Sequence, residues 1–135
     1  MDRIFLDANV LYSAAYLELA GLAQLWSLDD AHLLSSAYAS EEARRNLAAD
    51  RGEALPRLKL LVEAVSTVDA PHGLRLPSNI RLGQKDQPIL LAAIHGNADY
   101  LLTGDARHFG HLYGKRIEGV LVLRPARYFE RRPLL

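Results

Sequence analysis

Short apolar runs alternate with stretches of helical period along this chain, and that alternation restricts the fold more than any other feature. Ile4-Phe5-Leu6, Leu33-Leu34, Tyr100-Leu101-Leu102 and Val120-Leu121-Val122-Leu123 have the length and composition of buried strands, and Val65–Val68 is a weaker fifth. Between them, Leu11, Ala14, Ala15 and Leu19 recur at helical spacing, as do Leu58, Leu61, Val62 and Val65. Ile89, Leu90, Ala93 and Ile94 form a third such face, which Gly96 is expected to end. Apolar strands separated by helices predict an α/β fold: a central, mostly parallel β-sheet of four to five strands with helices on both faces. Residues 70–85, holding Pro71, Gly73, Pro77 and Gly83, are predicted to be a loop inside the domain. With 135 residues, no internal repeat and no low-complexity tract, the whole span 1–135 is expected to be one domain. Open sheets of this kind place their sites beyond the carboxyl ends of the strands.

Composition narrows the chemistry. Hydrophobic residues make up 50% of the chain and charged residues 24%, an ordinary globular balance that excludes disorder. The absence of cysteine excludes a disulfide framework, a thiolate zinc finger, an iron–sulfur cluster and a cysteine nucleophile. No apolar run approaches the roughly 20 residues that span a bilayer. The start, Met-Asp-Arg-Ile-Phe-Leu-Asp, lacks the basic flank and long apolar stretch of a secretory segment, so a cytoplasmic protein is expected. Net charge is zero, but unevenly spread. From Arg107 onward, seven basic residues face Glu118 and Glu130, a local net of +5, which leaves −5 on the first 106 residues. That asymmetry suits a cation site beside a surface that tolerates phosphates, or a solvated arginine-rich terminus.

Four carboxylates stand where the sheet-edge rule directs attention. Asp7 follows the first strand directly, and Asp105 follows the strand Tyr100–Leu102 after Thr103-Gly104. Asp86 opens the helix that begins Gln87-Pro88, and Glu42 lies early in the helix after the second strand. Singly, Asp7 and Asp86 fit helix N-caps and Asp105 fits a turn or cap. Together at one sheet edge they would repel one another unless protons or a cation offset the charge. Carboxylate oxygens without histidine or thiolate suit a hard cation, Mg²⁺ or Mn²⁺, rather than zinc or copper. Such an ion activates water and stabilises a phosphodiester under attack.

These residues carry a resemblance. Phe5-Leu6-Asp7-Ala8-Asn9-Val10-Leu11, Glu42-Ala43-Arg44-Arg45-Asn46-Leu47, Asp86-Gln87-Pro88-Ile89-Leu90 and Ala98-Asp99-Tyr100-Leu101-Leu102-Thr103-Gly104-Asp105 stand in order. With the ending Val122-Leu123-Arg124-Pro125-Ala126-Arg127-Tyr128-Phe129, they resemble a PIN-domain ribonuclease of the kind that serves as the toxin in VapC-type toxin–antitoxin pairs. The resemblance implies one PIN-like nuclease domain over 1–135, with Asp7, Glu42, Asp86 and Asp105 as catalytic metal-holding residues. Asn9 and Thr103 would support them by orienting carboxylates or a water. It implies an Mg²⁺- or Mn²⁺-dependent endoribonuclease acting on single-stranded or looped RNA, a homodimer, and a small antitoxin partner that covers the site. Some relatives carry a further acid three residues before the third carboxylate, where this chain has Gly83. Asp99 precedes its strand, at the end opposite Asp105, and is expected to be a turn acid.

Other residues have plainer readings. His95 beside Gly96 suits a helix C-terminus. His108 and His111 are three apart but have no third ligand spaced with them, which argues against zinc. Trp26 and Leu22 are expected in the core or an interface. Ser13 lacks a Gly-x-Ser-x-Gly frame, and no phosphate-binding Gly-x-x-x-x-Gly-Lys-Ser/Thr loop is present. Two alternatives remain beside the nuclease: a PIN-fold module that binds RNA or protein without catalysis, and an α/β phosphotransfer domain. Asp7-Ala8-Asn9 departs from the Asp-x-Asp of a dehalogenase-like phosphotransferase, and the last strand lacks a receiver's lysine. Within the second motif, Glu41 and Glu42 point about 100° apart on a helix. Glu41 has Arg44 and Arg45 at i+3 and i+4, an exposed ion-pair spacing, which assigns the site role to Glu42.

Overall fold

The computed structural model describes residues 1–17 and 21–132. Leu19, expected on the first helical face, lies outside them. The sheet has the order β3-β2-β1-β4-β6-β5. Its strands are β1 (Asp2–Leu6), β2 (Ala31–Ser35), β3 (Ser66–Thr67), β4 (Tyr100–Leu102), β5 (Arg116–Ile117) and β6 (Val120–Leu123). All pairings are parallel except the β5–β6 hairpin. The connecting helices are α1 (Ala8–Tyr16), α2 (Ala37–Arg51), α3 (Leu55–Glu63), α4 (Gln87–His95), α5 (Ala106–Phe109) and α6 (Pro125–Arg131), with short 3₁₀ turns between some of them.

β1 sits at the centre because its apolar run can be buried on both faces. Ile4, Phe5 and Leu6 are fully buried; Ile4 pairs with Leu33 on one side and Tyr100 on the other. The chain leaves β1 toward β2 and returns on its other side as β4, so the strand order reverses between β1 and β4. That switch point opens a crevice at the carboxyl ends of both strands. Asp7 closes the β1 end by donating its backbone N–H to Leu102 O at 3.1 Å. Among the described residues, no helix is long and apolar enough to cross a membrane.

The sheet has six strands where the apolar runs indicate four to five. The additional strand, β5, is two residues long and has no apolar run of its own. Its turn, Glu118-Gly119, has both residues at positive φ (49° and 89°), the type I′ geometry that twisted hairpins favour. Asn-Gly or Asp-Gly would have signalled it; Glu-Gly does not. β3 keeps only Ser66–Thr67 of the expected Val65–Val68 strand, and Val68 extends the ladder by donating to Ser35 O at 2.7 Å.

The third helical face also ends for a different reason than glycine's freedom at φ > 0. Gly96 has an ordinary φ of −80°, and Asn97 takes the left-handed position at φ 54°. Position 96 is glycine because a Cβ there would lie 3.1 Å from Val68 Cγ1. Residues 70–85 form the expected irregular loop, packing Leu76, Ile80 and Leu82 against the core. Trp26 and Leu22 pack against that core as well, and Trp26 Nε1 donates to Leu61 O at 3.0 Å.

The basic C-terminal region divides in two. Arg132 binds Asp30 and donates to Tyr128 Oη at 2.6 Å, while Tyr128 Oη donates to Asp2 Oδ2 at 2.7 Å. Arg131 lies over the Tyr100 ring. These contacts fasten α6 to the amino-terminal edge of the sheet. Arg124, which follows β6, stands at the opposite edge over the Tyr113 ring.

Candidate active site

Asp7 is the N-cap of α1, and its Oδ1 accepts from Ala8 N at 2.7 Å. Its other oxygen accepts from the Thr103 hydroxyl at 2.8 Å and from Asn9 Nδ2 at 3.1 Å. The capping and site roles therefore coincide in one side chain, its two oxygens being held in different directions. Asn9 also donates to Thr103 Oγ1 at 3.2 Å and accepts from Gly104 N at 2.7 Å. A Cβ at Gly104 would lie 3.3 Å from Asn9 Oδ1, so the backbone approaches Asn9 through the missing side chain. Thr103 Oγ1 accepts from Asp105 N at 3.1 Å. Through these bonds Asn9 and Thr103 link the ends of β1 and β4.

Asp7 is 4% exposed, and burial pushes its carboxyl from 3.8 up to about 6. The hydrogen bonds from Thr103, Ala8 and Asn9 act the other way, and the charge of Glu42 adds to the rise. A carboxylate made more basic by burial, with a second carboxylate adding to it, is a place where a cation would relieve both.

Glu42 reaches this edge from α2. Ser36 caps that helix, and the Asp69 carboxylate accepts from Ala37 N at 3.0 Å. The helix buries Ala39, Ala43 and Leu47, which turns Glu42 toward the sheet edge and Glu41 outward. Glu41 pairs with Arg44 at 2.6 Å, both side chains about half exposed. Glu42 is 26% exposed and stands 3.9 Å from Lys85 Nζ.

Asp86 occupies the N-cap position of α4 but makes no capping bond, so its carboxylate is left to face the crevice. It is 14% exposed, and its Oδ2 lies 3.8 Å from His108 Nδ1. Asp105, 30% exposed, accepts from His108 N at 3.2 Å and lies 2.7 Å from His108 Nδ1 through its other oxygen. Asp86, Asp105 and His108 can each offer a ligand atom within 4.8 Å of the others. Burial thus falls from Asp7 outward to Asp105, leaving the centre open on the Asp105 side.

The acids form two pairs, Glu42 lying close enough to add to the rise of Asp7's pKa and His108 joining Asp86 to Asp105. Asp99 does not join them. It accepts from Arg3 N at 2.8 Å at the far end of β4 and serves the sheet.

Two tyrosines near the site were not singled out by the sequence, and His108, which the sequence allows beside Asp105, joins acids that were expected to act without histidine. His108 comes to Asp86 and Asp105, not to His111, whose Nε2 meets Arg81 O at 2.6 Å. Its i+3 spacing from Asp105 was the available signal. Tyr38 Oη donates to Lys85 O at 2.7 Å, anchoring the end of the long loop beside Asp86. Tyr113 Oη donates to Thr103 O at 2.8 Å. Neither tyrosine carries a sequence signal, because each acts on a backbone carbonyl.

A PIN domain family model matches residues 3–107. The chain belongs to the PIN domain family. In structure it is similar to VapBC2 from Rickettsia felis bound to a DNA fragment from its promoter. That match has a TM-score of 0.63 and 13% identity, covering 90% of this chain and 98% of that one. It is also similar to VapBC-1 from nontypeable Haemophilus influenzae, with a TM-score of 0.57 and 16% identity, covering 90% and 97%. At these identities the likeness concerns the fold. No curated protein matches the chain in sequence.

Proposed function

We propose that this PIN domain is a divalent-metal-dependent endoribonuclease and the toxin of a toxin–antitoxin pair, working in the cytoplasm. The observation that supports this reading is the placing of acids at the β1/β4 switch point, Asp7 within reach of the charge of Glu42 and Asp86 and Asp105 on either side of His108. Family membership supports a nuclease, and the VapBC likeness of fold supports a toxin with a small antitoxin partner. A homodimer is part of the same proposal.

Asp7, Glu42, Asp86 and Asp105 would hold Mg²⁺ or Mn²⁺, which when bound supplies a water acidic enough to act as nucleophile and positive charge for the phosphate. The donor set fits: clustered carboxylate oxygens with one deeply buried member. Asn9 and Thr103 fix the rotamer of Asp7 by holding its outer oxygen. The open side at Asp105 admits the phosphodiester. Arg124 beside Tyr113 offers a cation to an adjacent phosphate, and an accessible single-stranded or looped RNA is the matching substrate.

Asp86 gives the cleanest test because it caps nothing. Asp86→Asn should keep the circular dichroism spectrum and melting behaviour while abolishing Mn²⁺-dependent RNA cleavage. Induced expression of the wild type should arrest bacterial growth, and Asp86→Asn should relieve the arrest. Cleavage undiminished in Asp86→Asn refutes the assignment of the centre. Metal-bound wild-type protein inert toward every RNA supports a binding module instead.

A further inference from the structure

We infer that His108 is a nitrogen donor to the metal, making the centre a mixed nitrogen–oxygen site that selects a transition ion such as Mn²⁺ over Mg²⁺. The inference rests on the metal-dependent reading above and goes beyond it, since that reading requires only carboxylates.

The geometry carries it. Adjacent donor atoms around an octahedral ion of this size stand about 3 Å apart. His108 Nδ1 lies 2.7 Å from Asp105 Oδ2 and 3.8 Å from Asp86 Oδ2, distances that bracket that value. The ring is aimed by the backbone, because His108 N is fastened to Asp105 Oδ1 in the first turn of α5. Without a metal Nδ1 donates to the Asp105 carboxylate, so a bound cation would take the place of that proton, and Nε2, which makes no hydrogen bond to the described residues, is open to carry it. Gly83 has no side chain to fill the space beside Asp86, and even its Cβ would stay 3.8 Å from Asp86 Oδ2. His111 is not an alternative donor, being engaged by Arg81 O.

The chemical consequence follows from ligand type. Mg²⁺ binds oxygen almost exclusively, whereas first-row transition ions accept imidazole readily. Replacing one oxygen position by a neutral nitrogen also lowers the negative charge of the cage, which disfavours Mg²⁺ further.

The test uses the full chain, Mn²⁺ and Mg²⁺ alone, and no substrate. Pulsed electron paramagnetic resonance of the Mn²⁺-loaded wild type should show a directly bound ¹⁴N coupling that His108→Ala abolishes. Titration calorimetry should show Mn²⁺ affinity falling on the order of tenfold or more in His108→Ala, with Mg²⁺ affinity changing much less. His108→Asp, an all-oxygen centre, should recover binding with the preference moved toward Mg²⁺. The exposed ring lets both variants fold, which circular dichroism checks. Mn²⁺ bound by the wild type without ¹⁴N coupling, or equal losses of both ions in His108→Ala, overturns the nitrogen ligand and leaves the metal-dependent reading intact. Failure of the wild type to bind Mn²⁺ overturns both.

Discussion

Removing the charge of Asp7 should stabilise the metal-free protein at neutral pH while destroying its metal site. Its carboxyl is moved from 3.8 to about 6 by burial. At about 1.4 kcal/mol per tenfold, full ionisation of the folded form costs about 3 kcal/mol. Asparagine abolishes that cost but places an amide where Asp7 now accepts from Thr103 and Asn9. Losing those two bonds costs about 1–2 kcal/mol at every pH. The sign runs one way: the folded pKa is raised, so stability from the bound proton is fully present below about 3.8 and lost as pH rises through about 6. Asp7→Asn should therefore be less stable than wild type near pH 4 and more stable by about 1–2 kcal/mol at pH 8. The two curves should cross near about pH 5, and at pH 8 the melting temperature of the variant should be higher by roughly 3–8 °C. The assay is thermal or urea unfolding of both proteins in EDTA between pH 4 and 8. Parallel curves, or a variant less stable than wild type at pH 8, would refute the claim that Asp7 is a buried charge held against its preference.

Saturating Mn²⁺ should reverse the order at pH 8, adding about 2.7 kcal/mol to the wild type at a hundred times its dissociation constant and nothing comparable to Asp7→Asn. Unchanged melts with EDTA and with Mn²⁺ would argue against a metal centre. Glu42→Gln should weaken Mn²⁺ binding and lower RNA cleavage by orders of magnitude, whereas Glu41→Gln should leave cleavage within a few-fold, since its pair with Arg44 is solvent-exposed and contributes little. Thr103→Val removes a donor to Asp7 and an acceptor for Asp105 N, and should cost about 1–3 kcal/mol in urea unfolding while weakening Mn²⁺ binding. Trp26→Phe should cost about 1 kcal/mol by removing the indole bond to Leu61 O, which keeps the Ala64 N–H, with Mn²⁺ affinity unchanged.

The strands with continuous apolar runs were legible from sequence because each is buried on both faces and must be apolar throughout. Ile4-Phe5-Leu6 and Val120–Leu123 show this directly, every residue in them being buried. The positions of Asp7, Asp86 and Asp105 were legible too, since each directly follows a strand or opens a helix, where capping and site roles draw on the same short carboxylates. Glu42 could be separated from Glu41 because helical phase is local: 100° per residue and an arginine three places on are properties of one helix.

Tertiary structure decided whatever depended on which strand lies beside which. Sequence order cannot reveal that β4 returns next to β1, and only that adjacency joins Thr103 to Asp7 and buries a carboxyl that desolvation then makes more basic. It also decided His108: the sequence allowed a pair with His111 or a place near Asp105, and the fold delivers the ring to Asp105 and Asp86. The terminal arginines show the same division: the local charge of +5 belongs to the sequence, yet Arg131 and Arg132 bind the sheet's amino-terminal edge while Arg124 stands near the carboxylates. Burial patterns and helical phase are set by neighbours within a few residues. Charge pairing and desolvation depend on separations of a few ångströms between distant segments, which exist only once the sheet has formed.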